Sequence, residues 1–205
     1  MPWTEVFRVN LNTMFTGIIE EIGLVTEIRQ EDGNVHFTVK SNLSNELKID
    51  QSVAHNGCCL TVVGLSPDHH IVTAIHETLQ KTNLGSWTVG SKINLERCMS
   101  FNGRLDGHIV QGHVDGLARC VDIKDENGSW RYRFDYQSDF VTVEKGSITI
   151  NGTSLTVVDS KEHSFAVCII PYTYEHTNFH TLIVGDEVNL EFDIIGKYVA
   201  RLMHR

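Results

Sequence analysis

Residues 52–63 read SVAHNGCCLTVV, and 95 positions later residues 147–158 read SITINGTSLTVV. Serine, Asn-Gly and Leu-Thr-Val-Val recur in register. Residues 78–96, TLQKTNLGSWTVGSKINLE, return at the same offset of 95 as residues 173–191, TYEHTNFHTLIVGDEVNLE. Gly17 in FTGII and Gly112 in VQGHV fit it as well. One unbroken offset across separate segments marks a duplicated unit. Two copies are too few for a solenoid, so the duplication predicts two similar domains related by a pseudo-twofold axis. The expected division is an N-terminal extension over 1–13, a first domain over 14–102, a second over 103–193 and a C-terminal segment over 194–205. The junction is expected near 101–106, where FNGRLD has the composition of a loop.

The local patterns are those of strands. Val35 to Val39, Ile71 to Ile75 and Trp130 to Phe134 alternate with β-branched and aromatic residues. Asp32-Gly33-Asn34, Ser66-Pro67-Asp68 and Glu126-Asn127-Gly128 supply turns between them. Short strands at this spacing predict an all-β sandwich or barrel in each half. A half this small buries only a modest core, so it should pack against another half or subunit. Short helical turns are expected over 42–47, 77–82 and 172–177. From Ile194 the chain reads IIGKYVARLMHR, with Ile194 or Ile195, Tyr198, Val199 and Leu202 at helical spacing. A helix this short is marginal alone in water, so it should dock on its own barrel or on copies of itself.

Composition removes several classes of function. Net charge is −9 and no basic stripe is present, which disfavours nucleic-acid binding. No apolar run reaches the roughly 18 residues of a membrane span. Residues 1–13 have no apolar core of signal-peptide length, so a cytoplasmic protein is expected. The five cysteines are odd in number and form no C-x-x-C, which fits free thiols in a reducing compartment. Adjacent Cys58 and Cys59 would face opposite sides of a strand.

Each Asn-Gly suggests a tight turn, followed at equivalent positions by Cys59 and Ser154. Both residue types act as nucleophile or hydrogen-bond donor, and Cys is the more nucleophilic. The plainer role for Cys59 is a small buried hydrophobe. His108 and His113 in GHIVQGHVDG invite a metal reading. Five apart on a strand they would point to opposite faces, and no Cys or carboxylate completes a zinc spacing, so no metal is expected. One histidine moving a proton is chemically easier. His69, His70, His76, His163, His180 and His204 read as solvated or structural. Lys145-Gly146 puts a cation near the second repeat's turn, where it could meet an anionic or carbonyl ligand atom.

These motifs together resemble the riboflavin synthase family, alpha-subunit type. The match runs through MFTGII from Met14, SVAHNGCCLTV from Ser52, ETLQKTNLG from Glu77, GHIVQGHVDG from Gly107, NGTSLTVV from Asn151 and YTYEHTN from Tyr172. It spans essentially everything from Met14 onward and leaves 1–13 outside. The resemblance implies two tandem six-stranded Greek-key barrels, a C-terminal helix and a homotrimer. It implies a dismutation without cofactor or metal, in which two molecules of 6,7-dimethyl-8-ribityllumazine exchange a four-carbon unit. The products would be riboflavin and 5-amino-6-ribitylamino-uracil. The site would lie between the first barrel of one subunit and the second barrel of its neighbour. Holding two identical reactants in opposed stacking would remove an entropic barrier of up to roughly 7–11 kcal/mol.

Carried over residue by residue, the first pocket comprises Gly17, Ile18, Ile19, Cys59, Leu60, Thr61, Thr73, Ala74, Ile75, His76, Glu77 and Thr78, bordered by Gly112, His113 and Val114. The second comprises Lys145, Ser154, Leu155, Thr156, Cys168, Ile169, Ile170, Pro171, Tyr172 and Thr173. Ser52, Cys59 and His113 match positions associated with catalysis. The resemblance departs at Asn151, where some members carry Asp; an amide cannot act as a carboxylate base there. A related class, lumazine-binding or flavin-binding proteins without activity, shares the fold. Intact NGTSLTVV and Lys145 in the second repeat favour the enzyme over that alternative.

Overall fold

In the computed structural model, which describes residues 14–100 and 102–203, each half closes into a six-stranded antiparallel barrel. The expected extension over 1–13 and the last two residues of the C-terminal segment lie outside the described residues. The first barrel comprises β1 (Glu21–Glu31), β2 (Asn34–Lys40), β3 (Ser52–His55), β4 (Cys58–Ser66), β5 (His69–Ala74) and β6 (Lys92–Arg97), in the spatial order β1-β2-β5-β4-β3-β6. The second comprises β7 (Gly116–Asp125), β8 (Trp130–Tyr136), β9 (Ser147–Ile150), β10 (Thr153–Val158), β11 (Ser164–Ile169) and β12 (Glu187–Phe192), in the equivalent order. Alternation along each strand sends one set of side chains inward. Val25, Phe37, Val62, Val72 and Leu95 fill the first barrel; Tyr132, Phe134, Phe165, Ile148 and Leu190 fill the second.

The Asn-Gly dipeptides join β3 to β4 and β9 to β10. Asn56 and Gly57 have φ of +47° and +77°, and Asn151 and Gly152 have +46° and +81°. Positive φ at both central residues is what a two-residue turn between right-twisted strands requires. The expected helical turns also form. A 3₁₀ turn runs over Asn42–Glu46, helix α1 over His76–Lys81 and helix α2 over Pro171–His176. Helix α3 spans Ile194–Met203. Lys197 on α3 donates to Asp115 at 2.7 Å, while Ile195, Tyr198, Val199 and Leu202 stay exposed. An apolar groove of about 640 Å³ runs between α3 and the second barrel, from Val143 and Phe140 to Ser147 and Asp193.

The barrels are knitted together by the segments that precede them. Phe15 and Val110 exchange backbone hydrogen bonds of 2.8 and 3.1 Å. Six asparagines, three from each repeat, then bridge the pseudo-twofold axis. Asn94 Nδ2 donates to the Asn151 carbonyl at 2.9 Å, and Asn189 Nδ2 donates to the Asn56 carbonyl at 2.8 Å. The Asn83 backbone N–H donates to Asn189 Oδ1 at 2.6 Å, and that of Asn178 to Asn94 Oδ1 at 2.7 Å. At the axis itself a Cβ on Gly57 would lie 2.7 Å from the Gly152 nitrogen, and a Cβ on Gly152 2.7 Å from the Gly57 nitrogen. Only glycine fits either position.

Candidate active site

The strand β4 turns Cys58 into the first barrel's core and leaves Cys59 beside Phe15, Ala54, Val110 and Cys98. The Cys59 backbone N–H donates to the Gly112 carbonyl at 2.9 Å. Gly112 has φ of +77°, and a Cβ there would lie 2.6 Å from Cys59 Cβ. His113 follows at once, with its side chain exposed. Ser52 stands on β3, its carbonyl accepting from Cys98 Sγ at 3.3 Å. Burial pushes the Cys59 thiol above its ordinary range, with the Ser52 side chain pulling the other way. Cys59 is therefore a thiol near neutral pH, suited to donating or positioning. Cys58 is pushed up to about 12 by burial.

The second site repeats this plan with different chemistry. The Ser154 N–H donates to the Gly17 carbonyl at 2.8 Å. Ser154 Oγ lies 2.6 Å from His108 Nδ1, and His108 Nε2 lies 3.1 Å from Thr149 Oγ1. Burial holds the His108 imidazole below its usual range, partly offset by Asp193. A neutral ring follows at pH 7, able to take a proton from the hydroxyl. At the position equivalent to Thr149 the first barrel has Ala54, which offers no hydroxyl.

Two buried carboxylates hold the loops at both sites. Glu191 on β12 accepts the N–H groups of Gln111, Gly112 and His113 at 2.7, 3.1 and 3.1 Å. Glu96 on β6 accepts the Thr16 N–H at 2.7 Å, the Thr16 hydroxyl at 2.8 Å and the Gly17 N–H at 3.0 Å. Burial raises both carboxyls to about 7 against these hydrogen bonds.

A lumazine binding domain model matches this chain twice, over residues 16–98 and 111–193. The riboflavin synthase of Actinobacillus pleuropneumoniae is 41% identical over 193 residues, covering 93% of this chain and 90% of that protein. That of Bacillus subtilis (strain 168) is 39% identical over 195 residues, covering 94% and 91%. The chain belongs to the riboflavin synthase family. A crystal structure of LumP complexed with 6,7-dimethyl-8-(1'-D-ribityl) lumazine shares the fold, with a TM-score of 0.80 at 24% identity over 87% of this chain and 98% of that one.

Set against the positions carried over from the riboflavin synthase family, the structure corrects one grouping. Gly17 was expected in one pocket with Cys59, together with Ile18 and Ile19, but it abuts Ser154 of the second barrel. The segment before each barrel crosses to the other barrel, so Gly112 abuts Cys59 while Gly17 abuts Ser154, and His113 and Ile18 follow them as exposed residues. Leu60, Ala74 and Ile169 are buried and point into barrel cores, and Leu155 packs partly buried against the second core. Val114 packs on the first core. Thr61 and Thr156 are exposed on β4 and β10, and Cys168 on β11. Thr73 Oγ1 pairs with His36 Nδ1 at 2.8 Å. Ile75 and Ile170 are exposed at equivalent strand ends, ahead of α1 with His76, Glu77 and Thr78 and α2 with Pro171, Tyr172 and Thr173. Lys145 is exposed in the turn before β9.

Asn151 carries a different burden from the one weighed for it. It is 1% exposed, and its Oδ1 accepts the Asn189 N–H at 2.9 Å and Asn83 Nδ2 at 3.1 Å. It matches Asn56 in the first repeat and belongs to the axis. The sequence reading missed Glu96, Glu191 and the pairing of His108 with Ser154. The two glutamates end the repeated Asn-Leu-Glu, so a signal was present but had no partner attached. His70, read as solvated or structural, is 0% exposed and bonds His55 inside the first barrel.

The two cysteines are expected to respond differently to substitution. Cys59→Ser should keep the melting temperature and slow turnover markedly. Cys58→Ser should lower stability by about 1–3 kcal/mol, because it places a hydroxyl in the core. Differential scanning fluorimetry beside steady-state assays separates the two, and a Cys59→Ser enzyme as fast as wild type would remove the thiol from the chemistry.

Proposed function

We propose that this chain converts two 6,7-dimethyl-8-ribityllumazine molecules to riboflavin and 5-amino-6-ribitylamino-uracil. One lumazine gives up a four-carbon unit and the other receives it. The atoms balance without external oxidant, reductant or water, so no redox cofactor is called for. The observation that carries the reading is a pair of intact, pseudo-equivalent sites with unlike chemistry. Cys59 with Ser52 and His113 stands at one, and Ser154 with His108 and Thr149 at the other. A reaction between two identical molecules needs one donor and one acceptor, and this asymmetry supplies the distinction.

The acidic 7-methyl group of one lumazine loses a proton to a protein base, and its carbanion attacks the ring of the other, at whose C7 Cys59 or Ser52 is fitted to deliver a nucleophile or position water. A second carbon–carbon bond forms, the donor's two ring carbon–nitrogen bonds break, and the four-carbon unit passes to the acceptor. His108, neutral and hydrogen-bonded to Ser154, is fitted to relay a proton in the second site. His113 is fitted to the same task beside Cys59. Proton transfer by a positioned side chain typically contributes about 10²–10⁴-fold.

Incubation of the purified chain with the lumazine should produce flavin absorbance, and at the same rate with EDTA present. A chain that binds the lumazine and never forms flavin would be a binding module instead. The homotrimer belongs to this reading. The exposed stripe of Ile195, Tyr198, Val199 and Leu202 on α3 is apolar enough to gather subunits, and facing barrels from neighbours would complete each site. Removing residues 195–205 is expected to shift sedimentation toward monomer and cut turnover in parallel across a dilution series. A monomeric, fully active truncation would contradict the shared site. Five free cysteines fit the reducing cytoplasm.

A further inference from the structure

Each buried glutamate stands on the closing strand of one barrel, yet the loop it grips forms the wall of the other barrel's site. Glu191 belongs to the second barrel. It binds the N–H groups of Gln111, Gly112 and His113, and the Gly112 carbonyl receives the Cys59 N–H of the first barrel at 2.9 Å. Glu96 belongs to the first barrel. It binds the Thr16 and Gly17 N–H groups, and the Gly17 carbonyl receives the Ser154 N–H of the second at 2.8 Å. We propose that Glu96 and Glu191 are crossed positioning residues, each setting the geometry of the site on the opposite barrel.

The chemistry of the grip supports this. An ionised or neutral carboxyl offers acceptor oxygens to a cluster of backbone donors, and an acid at this position bonds more strongly than a neutral amide. Glu96 is 4% and Glu191 3% exposed, so water does not compete for those donors. The loops have little room to drift. A Cβ at Gly112 would sit 2.6 Å from Cys59 Cβ, and one at Gly17 2.6 Å from Ser154 Cβ. A small shift of either loop therefore alters contact with Cys59 or Ser154 directly. The arrangement is reciprocal, and it explains why the duplicated Asn-Leu-Glu keeps its acid in both copies. The positioning role rests on the proposed reaction for its importance, but the crossed geometry can be tested without turnover.

The test compares Glu191→Gln and Glu96→Gln in the full chain. A glutamine presents an NH₂ to part of the donor cluster, so the loop must move. Amide hydrogen exchange without ligand is the first readout. The Cys59 amide should exchange at least about tenfold faster in Glu191→Gln while Ser154 is unchanged, and the pattern should reverse in Glu96→Gln; tenfold corresponds to about 1.4 kcal/mol of lost protection. Riboflavin titration followed by the same two amides should show a Kd weakened about tenfold only at the crossed site. Glu→Asp, which retains the carboxyl, should recover part of both effects and carries the test if a glutamine variant fails to fold. Effects confined to each glutamate's own barrel, or equal at both sites, would overturn the proposal. A wild-type chain that forms no flavin, while the variants show the crossed exchange pattern, would instead strike the proposed reaction alone.

Discussion

Replacing His55 with Ile and His70 with Phe is expected to stabilise the chain at acid pH by about 1.4 kcal/mol per histidine for each pH unit below 6.5, measured against their difference at pH 7.5. At pH 5 that amounts to about 4 kcal/mol, a large fraction of a typical domain's stability. The two rings are fully buried and their Nε2 atoms lie 2.8 Å apart. The other nitrogens face the Val53 carbonyl at 3.0 Å and Ser44 Oγ at 2.9 Å. With both rings neutral, Ser44 donates to His70, His70 to His55 and His55 to Val53, so every partner is satisfied. Two protonated rings would place N–H against N–H.

Burial pulls His55 down to about 3 and His70 to about 4, the latter opposed in part by Glu21. Both folded values lie below the unfolded one, so their stabilising contribution is present above pH 6.5 and is lost as the pH falls. Glu96 and Glu191, raised to about 7, act with the opposite sign, because stability is lost as the pH rises from about 4.5 through 7. In the wild type the two pairs therefore offset one another across that window, and a steep loss should follow at lower pH. The second barrel carries Ile150 and Phe165 at the equivalent positions, which is why these replacements suit the site. Urea unfolding at pH 7.5, 6 and 5 supplies the comparison. Parallel loss in variant and wild type would acquit the histidine pair.

The second large effect concerns turnover. His108→Gln and Ser154→Ala are each expected to lower kcat by about 10²-fold, and the double variant should be little worse than either. The reason is the 2.6 Å contact between His108 Nδ1 and Ser154 Oγ, with Thr149 orienting the far side of the ring. Glutamine keeps a hydrogen bond but cannot accept a proton near pH 7. Groups that act as one unit are strongly non-additive, so a full double-mutant cycle is the measurement. Strict additivity would show that the two act separately.

Much of this architecture was legible from spacing. The offset of 95 led to two barrels, and the Asn-Gly pairs led to the turns in front of Cys59 and Ser154. Alternation located strands because side chains on a pleated strand point to opposite faces with a period of two. Residues that act through non-local partners were harder. His108 was read beside His113, its neighbour in sequence, whereas its partners Ser154 and Thr149 lie 46 and 41 residues away. Glu96 and Glu191 were seen as marks of a repeat, since a carboxylate's role depends on which amides the fold brings to it. Gly17 was assigned to the barrel it precedes in sequence.

What the sequence alone determined is therefore everything encoded by local periodicity, turn chemistry and self-similarity: two like β domains, their hairpins and a short amphipathic helix after them. Only the tertiary structure decided how the two copies interlock. The segments before each barrel cross the axis, the asparagines of one copy satisfy the backbone of the other, and Glu96 and Glu191 serve sites on opposite barrels. The physical reason is that backbone donors and acceptors are the same at every residue. A sequence shows that each must find a partner, while the choice of partner is made by which segments the closed barrels bring within about 3 Å of one another.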